Sequence, residues 1–198
     1  MSESIGKPSL IVTIGHSTRP IGEFIELLQA HGVKRLVDVR TVPRSRHNPQ
    51  FNSDTLVVSL RAARIHYTHL PGLGGLRHAR KDSPNTGWRN ASFRGYADHM
   101  QTPEFERALG KLLDLARKKP VAIMCAEAVP WRCHRSLIAD ALTVRGIRVE
   151  HITSPDASVG ASRTHRQPHK LTPFARVVGR RLTYPADSRQ TTLDLKKP

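Results

Sequence analysis

Twelve consecutive residues, Met124-Cys125-Ala126-Glu127-Ala128-Val129-Pro130-Trp131-Arg132-Cys133-His134-Arg135, concentrate more reactive chemistry than any other stretch of this chain. Two thiols, one carboxylate, one imidazole and two guanidiniums lie between a short apolar run, Val121-Ala122-Ile123, and an amphipathic one from Ser136 to Leu142. That order predicts a buried strand, a polar loop and a helix. A helix N-terminus offers unpaired backbone N–H groups and the positive end of its dipole, so such a place is receptive to anions. The same field lowers thiol pKa values.

Three chemistries compete for these residues. The first is a cysteine-phosphatase or rhodanese-like loop, which Asp38-Val39-Arg40 at a strand end and Cys125 at a strand-to-helix loop both resemble. A phosphatase loop ends on an arginine a fixed short span after its nucleophile, so that successive amides wrap one phosphate. Trp131 occupies that position, Arg132 falls one residue late, and Pro130 removes a donor. Standard phosphatase chemistry is therefore disfavoured. The second is a metal site on Cys125, Glu127, Cys133 and His134, completed by His16, His69 or His151; these are ligands that zinc or iron accepts. Their spacing matches no structural zinc motif, and Cys133 reads equally well as a small buried hydrophobe. The third is anion binding with acid–base chemistry. Here Arg40, Arg132 and Arg135 grip the anion bidentately. His134, held neutral at the helix start, accepts a proton, and Glu127 and Asp38 orient or protonate. An internal Glu127–Arg135 ion pair is the structural alternative.

The elements that must position these groups follow from periodicity. Leu10 to Ile14 predicts a strand ended by Gly15-His16-Ser17; Ser17 or Thr18 can cap the next helix, with Pro20 in its first turn. Ile21, Phe24, Ile25 and Leu28 give that helix one apolar face. Lys34 to Val39 is a second strand carrying Asp38, Arg40 to Asn52 a loop, Ser53 to Arg64 a helix, and Ile65 to Leu70 a third strand with His66, Tyr67 and His69. A long irregular region runs from Pro71 to Ser92, a length that is usually functional or mobile in a compact domain. A short helix from Phe93 to Met100 and a longer one opened by Thr102-Pro103-Glu104 precede the fourth strand. Gly146 punctuates before a fifth at Ile147 to Ile152. The Gly72-Leu73-Gly74-Gly75 run lacks the Lys-Ser/Thr of a phosphate-binding loop and reads as a tight turn. Trp88 and Trp131, beside arginines, could stack bases or cover the core edge.

Alternation of strand and helix predicts an α/β fold: three layers, a mainly parallel five-stranded sheet with helices on both faces, joined by right-handed crossovers. Ligands of such sheets sit beyond the carboxyl ends of the strands, where this sequence places His16, Asp38, Arg40, Tyr67, His69, Cys125 and Glu127. Phe174 to Val178 and Arg181 to Tyr184 around Gly179-Arg180 predict a C-terminal β-hairpin after a loop from Ser154 to Gln167. One domain over residues 1–185 and a disordered tail over 186–198 are expected.

The chain carries a formal charge of +16, from 32 Lys and Arg against 16 Asp and Glu. Nine of those bases against three acids lie from Pro155 onward, so most of the excess belongs to the rest of the chain. Such a balance favours polyanions, nucleic acid first, although free use of arginine on solvated surfaces gives the same number. No apolar run approaches the roughly 18 residues of a membrane span. The N-terminus lacks a secretory pattern, and two cysteines are no disulfide framework. A cytoplasmic protein is expected.

Several spaced pieces resemble one family. They are Thr13-Ile14-Gly15-His16-Ser17, Asp38-Val39-Arg40 with Pro43 and Ser45, and Tyr67 through Gly75. Phe93, Tyr96-Ala97 and Met100, Cys125-Ala126-Glu127 with Cys133-His134-Arg135, and His151-Ile152 extend the set. His169, Thr172-Pro173 and Thr183-Tyr184-Pro185 complete it. Together, over roughly Leu10 to Pro185, they resemble the bacterial and archaeal family labelled domain of unknown function 488. The resemblance implies a compact α/β domain and supplies no activity. Cys125, Glu127, His134, His16 and Asp38 are thus the candidate catalytic residues, and Arg40, Arg132, Arg135, Tyr67 and Tyr96 the candidate ligand contacts. A phosphate-containing small molecule or nucleic acid is the expected partner. A non-catalytic nucleic-acid-binding module is the competing reading, and metal use stays open.

Overall fold

The computed structural model describes residues 10–153 and 165–186. Strands β1 (Leu10–Gly15), β2 (Arg35–Asp38), β3 (His66–His69), β4 (Val121–Cys125), β5 (Arg148–Thr153) and β6 (His165–Pro168) form one sheet in the order β3-β2-β4-β1-β5-β6. The first five are parallel, and β6 pairs antiparallel on the β5 edge. The expected loop to Gln167 therefore ends in a sixth strand. Its sequence, His-Arg-Gln-Pro, has no apolar residue to announce it, because an edge strand here needs no second buried face. β7 (Arg176–Val178) and β8 (Arg181–Thr183) form the expected hairpin, turning at Gly179 with φ of 60°. The disordered tail expected from residue 186 lies outside the described residues beyond Ala186.

Every residue of β4 is buried, as are all but the first of β1 and β2, and successive side chains feed opposite layers, as in a covered parallel sheet. Val12, Ile14, Leu36, Ala122 and Met124 pack under helices α1 (Ile21–Ala30) and α2 (Ser53–Ala62). Ile11, Val37, Val121, Ile123 and Val149 pack under α3 (Ala91–His99), α4 (Pro103–Lys118) and α5 (Arg135–Thr143). Connections that move one way across the sheet carry α1 and α2, and those that move back carry α3, α4 and α5. A single crossover hand requires that split.

Local sequence explains the boundaries. The Thr102 hydroxyl caps α4 at Phe105 N (3.2 Å), and Asn90 caps α3 through Ser92 N (2.8 Å). Helix α1 departs from expectation: Pro20 is its N-cap and no side chain caps it. Ser17 instead takes a left-handed φ of 50° in the turn after β1. Among the described residues no helix is long and apolar enough to cross a membrane.

Candidate active site

Strands β1 and β4 are neighbours whose following helices leave on opposite faces, which makes their carboxyl ends the topological switch point of the sheet. The loops there are stitched together by His16 N to Cys125 O (3.0 Å) and Ser17 N to Ala126 O (2.9 Å). A Cβ on Gly15 would stand 1.9 Å from the Glu127 carbonyl oxygen, so the close approach requires glycine. A cleft of about 400 Å³ opens over this point.

One wall is built on β2. Asp38 is fully buried and grips the Arg40 guanidinium, with Nη2 to Oδ2 at 2.6 Å and Nε to Oδ1 at 2.9 Å. The Tyr67 hydroxyl adds a third donor to Oδ2 at 2.9 Å. Arg40 spends its remaining reach on the Phe51 carbonyl (2.8 Å) and on His16 Nε2 (3.3 Å). His16 donates from Nδ1 to the Ser17 carbonyl at 2.8 Å, so its tautomer is set and Nε2 is the acceptor. Its ring stacks on Phe51 with centroids 4.2 Å apart. Burial, and behind it the Arg40 charge, hold the His16 pKa down to about 4. This wall carries a neutral imidazole and a neutralised ion pair.

The floor is different. Cys125 closes β4, Cys133 precedes α5, and both are buried. Arg135, 1% exposed, donates from Nε to Cys125 Sγ at 3.0 Å and from its backbone N–H to Cys133 Sγ at 3.5 Å. Its other donors reach Thr13 Oγ1 (3.1 Å) and the Glu127 and Ala128 carbonyls. The alternative of a Glu127–Arg135 ion pair is not what forms: Arg135 takes the backbone oxygen, and the Glu127 carboxylate turns to Val129 N at 3.2 Å. Among the described residues no carboxylate pairs with Arg135. Burial alone raises both thiols. Against that, the hydrogen bond from Cys125, the Arg135 charge and the helix-start N–H bring Cys133 down to about 6, while Cys125 stays well above the ordinary range. His134 donates from Nε2 to the Val39 carbonyl (3.1 Å), which leaves Nδ1 as acceptor 3.6 Å from Cys133 Sγ. Burial lowers the His134 pKa. A Cβ on Gly75 would stand 2.4 Å from that ring, so Gly75 is what lets the imidazole seat.

His16, Arg40, Cys125, Glu127, Arg132 and His134 all line the cleft. Asp38, Tyr67, Arg135 and Tyr96 do not. The first two are its hidden struts, and Arg135 lies too deep for a ligand. Tyr96 is fully buried, with its hydroxyl on the Leu73 carbonyl (2.9 Å) and its ring against His134. Arg135, Tyr67 and Tyr96, expected as ligand contacts, stand behind the cleft lining. Arg44 and Leu76 also line the cleft, and sequence reasoning misses both; the position of Arg44, one residue past Pro43 in the loop after Arg40, is the signal that could have found it. Trp88 packs against Phe93, Phe174 and Tyr184 and covers the core, whereas Trp131 is 63% exposed. Among the described residues no three His, Cys, Asp or Glu side chains gather into a metal-holding group. Glu127, His134 and His69 are each turned onto backbone partners.

Fold and site together define a doubly wound α/β protein with a thiol-bearing cleft at its switch point. A family model described as domain of unknown function DUF488 matches residues 20–142, more than half of the sequence. The chain belongs to that family. No curated protein and no solved structure matches it.

Proposed function

We propose that the chain is an enzyme that holds a phosphate-bearing substrate in the switch-point cleft and acts on it with the Cys125–Cys133 thiol pair. The observation that carries this reading is Arg135: a guanidinium sealed from solvent, with no carboxylate partner among the described residues, whose Nε lies 3.0 Å from a thiol sulfur. A buried charge that lacks a partner is costly, so the pair is suited to supply the balancing anion, and a thiolate is the nucleophilic form of cysteine. In this reading Cys133 is the nucleophile and His134 the nearest base for its proton. The Glu127 carboxylate stands at the cleft mouth, where it accepts from Val129 N.

The phosphate is a handle for binding, with attack directed elsewhere. The amides of Val129, Arg132 and Cys133 are spent on partners inside their own loop, so they form no phosphate-wrapping cradle. Arg44 and Arg132 line the cleft with no ion pair among the described residues, and they are the free groups for an anion. Val42 and Leu76 beside them are exposed apolar surface for the rest of the ligand. A formal charge of +16 favours nucleic acid as the source of the phosphate.

Alkylation by iodoacetamide across pH, read residue by residue by mass spectrometry, tests the reading. Cys133 should react with a midpoint near pH 6, and a short oligonucleotide at low salt should protect it, with protection fading steeply as salt rises. Reaction of both thiols only in the ordinary range near pH 8.5, without protection, would overturn it. The competing reading, a non-catalytic nucleic-acid-binding module, rests on charge alone; it predicts oligonucleotide binding that leaves the alkylation profile untouched.

A further inference from the structure

Behind the cleft floor, a run of buried polar side chains leads away from Arg135. Arg135 Nη1 donates to Thr13 Oγ1 at 3.1 Å, and Thr13 Oγ1 lies 2.8 Å from His151 Nδ1. His151 Nε2 lies 3.0 Å from His169 Nδ1, and His169 Nε2 lies 2.8 Å from Asp140 Oδ1. Thr13 and Asp140 are fully buried, and His151 is 5% exposed. The sheet makes this line possible. Thr13 and His151 are register partners across β1 and β5, and His169 follows β6, its N–H bonded to the Val149 carbonyl at 2.9 Å.

The donors all point one way. A carboxylate only accepts, so in the neutral rings His169 carries its hydrogen on Nε2 and accepts at Nδ1. His151 must then donate from Nε2 and accept the Thr13 hydroxyl at Nδ1. That leaves the Thr13 oxygen lone pairs turned to Arg135. Burial above all, with the Arg135 charge behind it, holds His151 down to about 3, which keeps it neutral. At the far end Asp140 is saturated: Thr172 donates twice, from N at 3.0 Å and Oγ1 at 2.7 Å, and the Tyr184 hydroxyl once at 2.9 Å. A carboxylate with every lone pair occupied cannot turn, so the orientation of the line is locked from that end.

We infer that the C-terminal segment from His165 to Tyr184 is a working part of the thiol site, and that Thr13, His151 and His169 are positioning residues that hold the Arg135 guanidinium against Cys125 and Cys133. The inference rests on the thiol reading above for its purpose. Its geometry stands apart from it. Buried polar networks specify one arrangement when every member is satisfied. Here each member is satisfied only if the last is, so loss of His169 from outside the site is felt at Arg135. Thr13, His151, His169 and Tyr184 all fall outside residues 20–142, the span matched by the family model.

The test uses the full chain with Thr13→Val, His169→Leu and, as the conservative control, Thr13→Ser. Two readouts are taken: the side-chain N–H resonances of Arg135 by NMR, and the pH midpoint of thiol alkylation. In the unaltered protein the guanidinium should give resolved, slowly rotating Nη signals. Thr13→Val and His169→Leu should both collapse them and raise the midpoint by about one unit, a tenfold loss of thiolate at a given pH below it. Thr13→Ser should restore both. Arg135 signals unchanged in the two disruptive variants would overturn the inference, as would their collapse with no shift in midpoint. Thr13→Val keeps the side-chain volume under the sheet and decides alone if the histidine variant does not fold. A wild-type midpoint in the ordinary thiol range would sink the thiol reading, and the NMR signals would still show whether the line of contacts holds Arg135.

Discussion

Two buried arginines stand at the same edge of the sheet with opposite electrostatic lives. Arg40 is answered at once by Asp38, two residues away, with three short contacts and Tyr67 bracing the carboxylate. Arg135 is answered by carbonyls, a hydroxyl and sulfur. The first pair is neutral as a unit and its task is to hold His16 and the Phe51 loop. The second leaves a positive charge on the cleft floor beside two thiols, and it helps to bring one of them, Cys133, below the ordinary thiol range. Burial of a cation is thus used for scaffolding on one wall and for acidity on the floor; what separates the two uses is the presence of a carboxylate.

The largest effect that tests this contrast is loss of stability on the Arg40 side. Asp38→Ala should cost about 3–5 kcal/mol in denaturant unfolding, because it strands a sealed guanidinium. Adding Arg40→Leu should recover much of that, since a buried pair exchanged for apolar groups is often neutral. Next comes Arg135→Met. It should raise the alkylation midpoint of the thiol pair by about two units, about 3 kcal/mol of lost thiolate stabilisation, with a smaller change in unfolding than Asp38→Ala. Equal destabilisation with an unmoved midpoint would erase the distinction between the two arginines. The smallest effect is a pH slope. His16 has a folded pKa of about 4, below its unfolded value near 6.5, so the folded state favours the neutral ring. The contribution is present above pH 6.5 and is lost as pH falls toward 4, because the unfolded chain takes up the proton first. Unfolding free energies across that window should decline with acid, and His16→Gln should flatten the decline; an unchanged slope would show that His16 is not held neutral by its burial beside Arg40.

Much of this could be read along the chain. Aliphatic runs such as Val121-Ala122-Ile123-Met124 mark covered strands, Thr102-Pro103-Glu104 marks a helix start, and their alternation implies that the strand ends share a rim. His16, Arg40, Cys125, Glu127, Arg132 and His134 could be gathered in that way. The partners of Arg135 could not. Thr13 lies 122 residues away from it, and His151 lies 138 from Thr13. Such pairings are set by strand order and register, which local periodicity does not carry. Glu127 misleads for a related reason: an acid eight residues before an arginine suggests an ion pair, but the loop presents its backbone oxygen instead. Strand β6 escapes notice because nothing in His-Arg-Gln-Pro alternates in hydropathy.

The seat of β1 has a practical consequence. It runs between β4 and β5, yet all of it precedes residue 20, where the span matched by the family model begins. Trimming the polypeptide to that span would cut out the keel of the sheet, split the crevice at its seam and carry away His16 with it. The matched span and the foldable unit are, in this molecule, bounded by two different lines.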